Sequence, residues 1–155
     1  MLGCLPLWQW GAKAAVRTAE LSIGRWEATV TARRILLVDD EDHIREVAQV
    51  SLEMTAGWEV LTAGSGTEGL AKAAAEQPDA ILLDMMMPDM DGPATFQGLR
   101  ADQRTRHIPV VLLTAKLQAA DRRRFAGLGV AGVIAKPFDP LGLADQVAET
   151  LGWGR

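Results

Sequence analysis

Apolar residues in this chain fall into short unbroken runs, and between the runs they recur at every third or fourth position. The alternation becomes regular from Arg33 onward. Ile35–Val38 is an apolar run of strand type. Ile44, Val47, Ala48 and Leu52 then recur at helical spacing, with Asp42 as the expected N-cap and Gly57 as the stop. Trp58–Ala63 alternates as a second strand, Thr67–Glu76 is an alanine-rich helix halted by Pro78, and Ala80–Leu83 is a third apolar run ending at Asp84. Pro88 and Gly92 mark a loop before a helix with Phe96 and Leu99 on one face. Pro109 opens "PVVLLT", where a missing N–H is tolerated at a strand start. Ala119–Leu128 is helical, "GVIAK" is a fifth strand, and Ala144, Val147, Ala148 and Leu151 form a last helical stripe. Strands alternating with helices predict an α/β fold: a five-stranded parallel sheet with helices on both faces. Strands that are apolar throughout fit a sheet buried on both sides.

The polar residues that end these runs carry the chemistry. "ILLVDDED" drives four apolar residues into four acids, and crowded carboxylates repel and resist desolvation. The first run ends in Asp39-Asp40, the third in Asp84, the fourth in Thr114 and the fifth in Lys136. In a parallel sheet all of these emerge at one edge, the crevice where open α/β sheets bind ligands. An aspartate after a strand is ordinarily a turn or cap residue, and Lys136 before Pro137 reads alone as a solvated loop cation. Four strand ends out of five carrying such groups is not accidental. Three converging carboxylates need neutralising, and the sequence has no His or Cys at metal-ligand spacing. Oxygen ligands suit a hard cation, and Mg²⁺ fits best because it takes one or two carboxylates and leaves room for phosphate oxygens.

Composition narrows the class. At 155 residues, 48% hydrophobic and 23% charged, the chain has the size and make-up of one globular domain. A net charge of -4 argues against a nucleic-acid partner. The single cysteine, Cys4, forms no internal disulfide, which points to a reducing, cytoplasmic setting. No apolar run approaches the ~20 residues that span a bilayer, so no membrane role is expected. Residues 1–32 show no clean period and hold three of the five tryptophans. They read as a loosely ordered N-terminal extension, or as the product of a start assigned too early, with translation beginning near Val30.

"RILLVDDE", "PDAILLDMMMPDMDGPATF", "IPVVLLTA" and "GVIAKPF" occur in the order that marks one family. With them, residues 33–152 resemble the receiver domain of bacterial two-component response regulators, of the stand-alone type with no output domain. The resemblance implies a flavodoxin-like (βα)5 fold with strand order 2-1-3-4-5. It implies a phosphorylation-dependent signalling switch rather than an enzyme, a phosphoacceptor whose phosphorylation and dephosphorylation are self-catalysed. Asp84 would take the phosphoryl group from a sensor histidine kinase or a histidine phosphotransfer protein. Asp40, Asp84 and the Met86 backbone carbonyl would ligate Mg²⁺, Asp39 acting mainly through a metal-bound water. Lys136 and Thr114 would contact phosphoryl oxygens, with backbone N–H groups near Met86 and Ala115 completing the cradle. Lys136–Pro137 resembles the family's cis peptide. A downstream protein target and a phosphorylation-driven homodimer are further implied. The family's switch aromatic, three positions before the lysine, is Val133 here, and the chain has no tyrosine. Met86 and Lys116 fall where the family tunes phosphoryl lifetime, and an apolar Met86 implies slow self-dephosphorylation.

Other motifs compete. "GSGTEG", with Gly64, Gly66 and Gly69, follows a strand, opens a helix and has Asp84 at the distance of a ribose-binding acid, which suggests a dinucleotide-binding domain. It follows the second strand rather than the first and leaves Asp39, Asp40, Thr114 and Lys136 unexplained. "DMDG" at Asp89–Gly92 resembles a calcium loop, but Met87 and Gly98 stand where ligands are required. "DRRRF" at Asp121–Phe125 reads as a solvated helix face that could also dock a kinase or target. A non-phosphorylated interaction module is the remaining alternative.

Overall fold

In a computed structural model, the structure describes residues 32–88, 90–115 and 118–154. The expected extension over residues 1–32 therefore lies, but for Ala32, outside the described residues, as do Lys116 and Asp89. Among the described residues five strands and five helices alternate: β1 (Arg34–Val38), α1 (Asp42–Ala56), β2 (Glu59–Ala63), α2 (Gly66–Glu76), β3 (Ala80–Asp84), α3 (Gly92–Ala101), β4 (Val110–Thr114), α4 (Ala119–Ala126), β5 (Gly132–Ala135) and α5 (Leu143–Leu151). All pairings are parallel and the order is β2-β1-β3-β4-β5. The register sets Ile35 beside both Val60 and Ala80, and Val111 beside Gly132.

Alternate strand residues bury opposite faces of this sheet, which splits the core in two. Ile35, Leu37, Leu82, Val111 and Leu113 pack under α1 and α5 against Leu52, Leu143 and Val147. Leu36, Val38, Ile81, Leu83 and Leu112 pack under the other three helices against Ala73, Phe96, Leu99 and Phe125. The central strands are buried on both sides, which is why their sequences are continuously apolar.

The helix ends follow local chemistry. Ser65 caps α2 by accepting from the Glu68 N–H (3.1 Å), while Glu68 reaches back to the Gly64 N–H (2.8 Å). Asp91 caps α3 by accepting from the Ala94 N–H at 2.9 Å. Gly57 closes α1 at φ 69°, a left-handed conformation that glycine adopts without strain. Asp42 is not the N-cap: Glu41 holds that position without a side-chain cap bond, and Asp42 lies in the first turn, paired with Arg45. A carboxylate there still opposes the positive end of the helix dipole. At the far edge of the sheet Trp58 and Trp153 meet edge to face at 5.4 Å, with the Arg33 guanidinium 4.4 Å over the Trp153 ring.

Leu52 and Val50 share α1 but differ in burial, 0% against 51% exposed. Leu52→Ala should cost about 2–5 kcal/mol in urea unfolding, whereas Val50→Ala should stay within about 0.5 kcal/mol.

Candidate functional site: an acidic pocket at the carboxyl edge of the sheet

β1 and β3 lie side by side at the centre of the sheet, and both run into carboxylates at the same edge. Asp39 follows β1 directly and Asp84 is the last residue of β3. Both are buried, at 0% and 3% exposed. Asp40 is the more open member, and carboxylate oxygens of Asp39, Asp40 and Asp84 lie within 4.8 Å of one another. Lys136 reaches this group from the end of β5. Its Nζ is 2.8 Å from Asp39 Oδ2, 3.4 Å from Asp84 Oδ1 and 3.6 Å from Glu41 Oε1. Thr114, the last residue of β4, is buried beside them, and its carbonyl accepts the Lys136 N–H at 2.8 Å. The Lys136–Pro137 peptide is cis.

Backbone donors fix the carboxylates. The Glu41 N–H donates to Asp39 Oδ1 at 2.9 Å, and the Met86 N–H to Asp84 Oδ1 at 3.3 Å. The loop after β3 is pressed close because Gly92 has no Cβ; one there would stand 2.8 Å from the Asp84 carbonyl oxygen. A cavity of about 550 Å³ opens beside Asp40, lined also by Met85, Met86, Met87, Pro88 and Asp91.

The charges do not balance. Burial, and then the neighbouring Asp39 charge, push the Asp84 carboxyl up to about 6, against the partial relief given by the Met86 N–H and Lys136. Burial alone would lower the Lys136 ammonium, but its hydrogen bond to Asp39 and the charges of Asp39, Asp84 and Glu41 raise it overall. One ammonium faces three clustered carboxylates, and the excess is negative. A hard, oxygen-preferring divalent cation fits that donor set. Chemically the pocket offers a buried carboxylate with a fixed ammonium beside it, next to an open cavity.

The structure thus brings together Asp39, Asp40, Asp84 and Lys136 and places Thr114 on the same edge. Glu41 was not anticipated as a partner of Lys136; its only signal was membership of the acid run after β1. Asp91, Met85 and Met87, which line the cavity with Met86, were missed, because loop closure depends on the glycine at position 92. The glycines of "GSGTEG" serve packing instead. The Arg45 guanidinium covers Gly64, Gly66 packs against Thr95 and Met90, and a Cβ on Gly69 would stand 2.9 Å from Val38 Cγ2. The would-be ribose acid, Asp84, is committed to the acidic pocket.

The raised Asp84 value fixes a pH dependence. The folded chain holds a proton on Asp84 up to about pH 6, whereas an unfolded aspartate releases it near 3.8. Without divalent cation this group's contribution to stability falls as pH rises through that window. Asp84→Asn should therefore be more stable than the parent at pH 7 by about 1–3 kcal/mol in metal-free urea unfolding. The gap should close near pH 4, and Mg²⁺ should narrow it at pH 7.

Comparison with known proteins agrees with this geometry. The family model described as the response regulator receiver domain matches residues 35–148. The chain is 43% identical over 106 residues to the DNA-binding dual master transcriptional regulator RpaA of Synechocystis, a match covering 68% of this chain and 44% of that protein. It is 44% identical over 115 residues to the response regulator PleD of Caulobacter vibrioides, covering 74% of this chain and 25% of that one. The chain spans about half the length, or less, of the curated relatives it matches. Among solved structures, the chemotaxis protein CheY4 of Vibrio cholerae superposes with a TM-score of 0.72 at 31% identity, covering 78% of this chain and all of that one. Fold, pocket and family model coincide on the same residues, and the chain belongs to the receiver-domain family of two-component response regulators.

Proposed function

We propose that this chain is a phosphorylation switch in which Asp84 is the phosphoacceptor. Receiver domains are signalling domains that interact with histidine kinases or phosphotransfer proteins and bind Mg²⁺ at an acidic pocket. In the proposed reaction an Asp84 carboxylate oxygen attacks phosphorus, forming a P–O bond as the P–N bond to a donor histidine breaks. The imidazole nitrogen departs with the electron pair. Lys136, already 3.4 Å from Asp84, neutralises an oxygen of the transferring group, and Thr114 donates its hydroxyl to another. Asp40, Asp84 and the Met86 carbonyl would hold Mg²⁺, with Asp39 acting through a bound water. When bound, the cation supplies charge neutralisation to the phosphoryl oxygens, the main need of phosphoryl transfer.

The observation that carries this reading is the Lys136 ammonium set between two buried carboxylates at the crevice of the sheet. A structural ion pair needs one acid; this pocket holds three, and a cavity opens beside Asp40. The output would run through Thr114. Its turn toward the new phosphoryl oxygens shifts the loop after β4 and the surface of α4, β5 and α5, biasing two existing states. Val133, partly buried within the same core layer as Phe125, leaves that movement without an aromatic partner. A histidine kinase or histidine phosphotransfer protein as donor, a downstream protein target, a phosphorylation-driven homodimer and a cytoplasmic setting complete the reading. No helix among the described residues is long and apolar enough to cross a membrane.

Incubation with acetyl phosphate and Mg²⁺ should add the mass of one phosphoryl group, and Asp84→Asn should add none. Lys136→Met should slow the gain by about 10²-fold, as expected for loss of one preorganised charge. An unchanged mass for the parent chain would favour the non-phosphorylated module instead.

A further inference from the structure

Two of the three clustered acids take their places from the sheet. Asp84 ends β3, and the Asp39 N–H continues the β1–β2 ladder onto the Ala63 carbonyl at 3.0 Å. Asp40 stands one residue further out, at a bend before α1. Its place depends on the peptide that joins it to Asp39, and one side chain grips that peptide. Arg45, one turn into α1, reaches back so that Nη1 donates to the Asp39 carbonyl oxygen at 2.5 Å, while Nη2 bonds the Asp42 carboxylate. The same Nη1 rests against the loop after β2, where a Cβ on Gly64 would stand 3.2 Å from it. Glu68 holds that loop in turn by accepting the Gly64 N–H at 2.8 Å. The "GSGTEG" turn thus forms a back wall for the guanidinium.

The ion pair with Asp42 does not account for this placement. Asp42 is 85% exposed, and surface pairs of that kind contribute little. Arg45 is only 21% exposed, and its charge is bonded to the backbone of a residue of the acidic cluster. A positive group so near repels an incoming cation, so charge alone argues against an arginine there. We propose that Arg45 is a positioning residue of the cation site, fixing the Asp39–Asp40 peptide so that the Asp40 carboxylate is held where Mg²⁺ binds together with Asp84. This rests on the reading of Asp39, Asp40 and Asp84 as a divalent-cation site. The peptide is planar, so anchoring its oxygen sets the direction of the Asp40 Cα and leaves only the torsions of Asp40 itself. A carboxylate already in place loses less freedom when the cation arrives. Water could satisfy the same carbonyl, but it would not fix its direction.

Calorimetric titration of the full chain with magnesium chloride is the test, because it reads binding without phosphorylation. Arg45→Ala should raise the Mg²⁺ dissociation constant about tenfold, the lower end of what groups that orient a metal ligand contribute. The Mg²⁺ concentration for half-maximal phosphorylation by acetyl phosphate should rise by the same factor. The sign is diagnostic, since loss of a positive charge beside a cation site would by itself tighten binding. Arg45→Lys keeps the charge and one donor but not the fork, and should give a rise of about threefold. Asp42→Asn removes only the exposed partner of the guanidinium and should stay within about twofold. An unchanged or smaller dissociation constant in Arg45→Ala, or in Arg45→Lys should Arg45→Ala not fold, overturns the proposal alone, as does an equal rise in Asp42→Asn. A parent chain that binds no Mg²⁺ overturns the cation-site reading and this one with it.

Discussion

The structure turns on one contact between residues 97 apart in sequence: the Lys136 ammonium resting 2.8 Å from Asp39. Asp39 is fully buried, and a buried carboxylate without a partner is among the costliest things a fold can contain. Lys136 meets that demand only if β5 is docked at the far side of β4 and the loop after it is turned inward. The ion pair thus ties the end of β1 to the end of β5, across β3 and β4. It compensates the pocket only in part, since Asp84 remains strained toward its neutral form. A protein selected for stability alone would have replaced one of these acids. Their clustering around one ammonium is the physical sign of a site suited to added positive charge.

The two-layer core explains why that site can be rigid at its base and open at its mouth. Asp39, Asp84 and Thr114 grow from strand ends with helices packed over both faces, so their backbones are fixed by the sheet. Asp40, Met85 and Met86 sit on loops beyond the strands, where the chain is more exposed. The base supplies geometry, and the loops decide what reaches it.

Much of this was readable in the sequence because parallel strands carry their own direction. Continuous apolar runs gave the sheet, and the residue that ended each run could then be assigned to one edge. That argument needs no distances, and it located Asp39, Asp40, Asp84, Thr114 and Lys136 together. It could not find Glu41, because a third acid after β1 looks the same whether it faces water or Lys136. Nor could it place Asp91, Met85 and Met87 around the cavity beside Asp40, since that depends on how closely Gly92 lets the loop approach Asp84. Asp42 was misassigned as a cap for a related reason. In a run of four acids no spacing singles out the first helical residue; Asp39 accepts the Glu41 N–H in a local turn, and the helix begins one residue later.

The central claim is that these acids form a divalent-cation site shared with the phosphoacceptor. An anomalous diffraction map from crystals of the full chain soaked in Mn²⁺ tests it most directly. The account predicts one strong peak within bonding distance of Asp40 and Asp84, with Lys136 still beside Asp39. A pocket without a peak, or manganese bound only at other surface carboxylates, would contradict it.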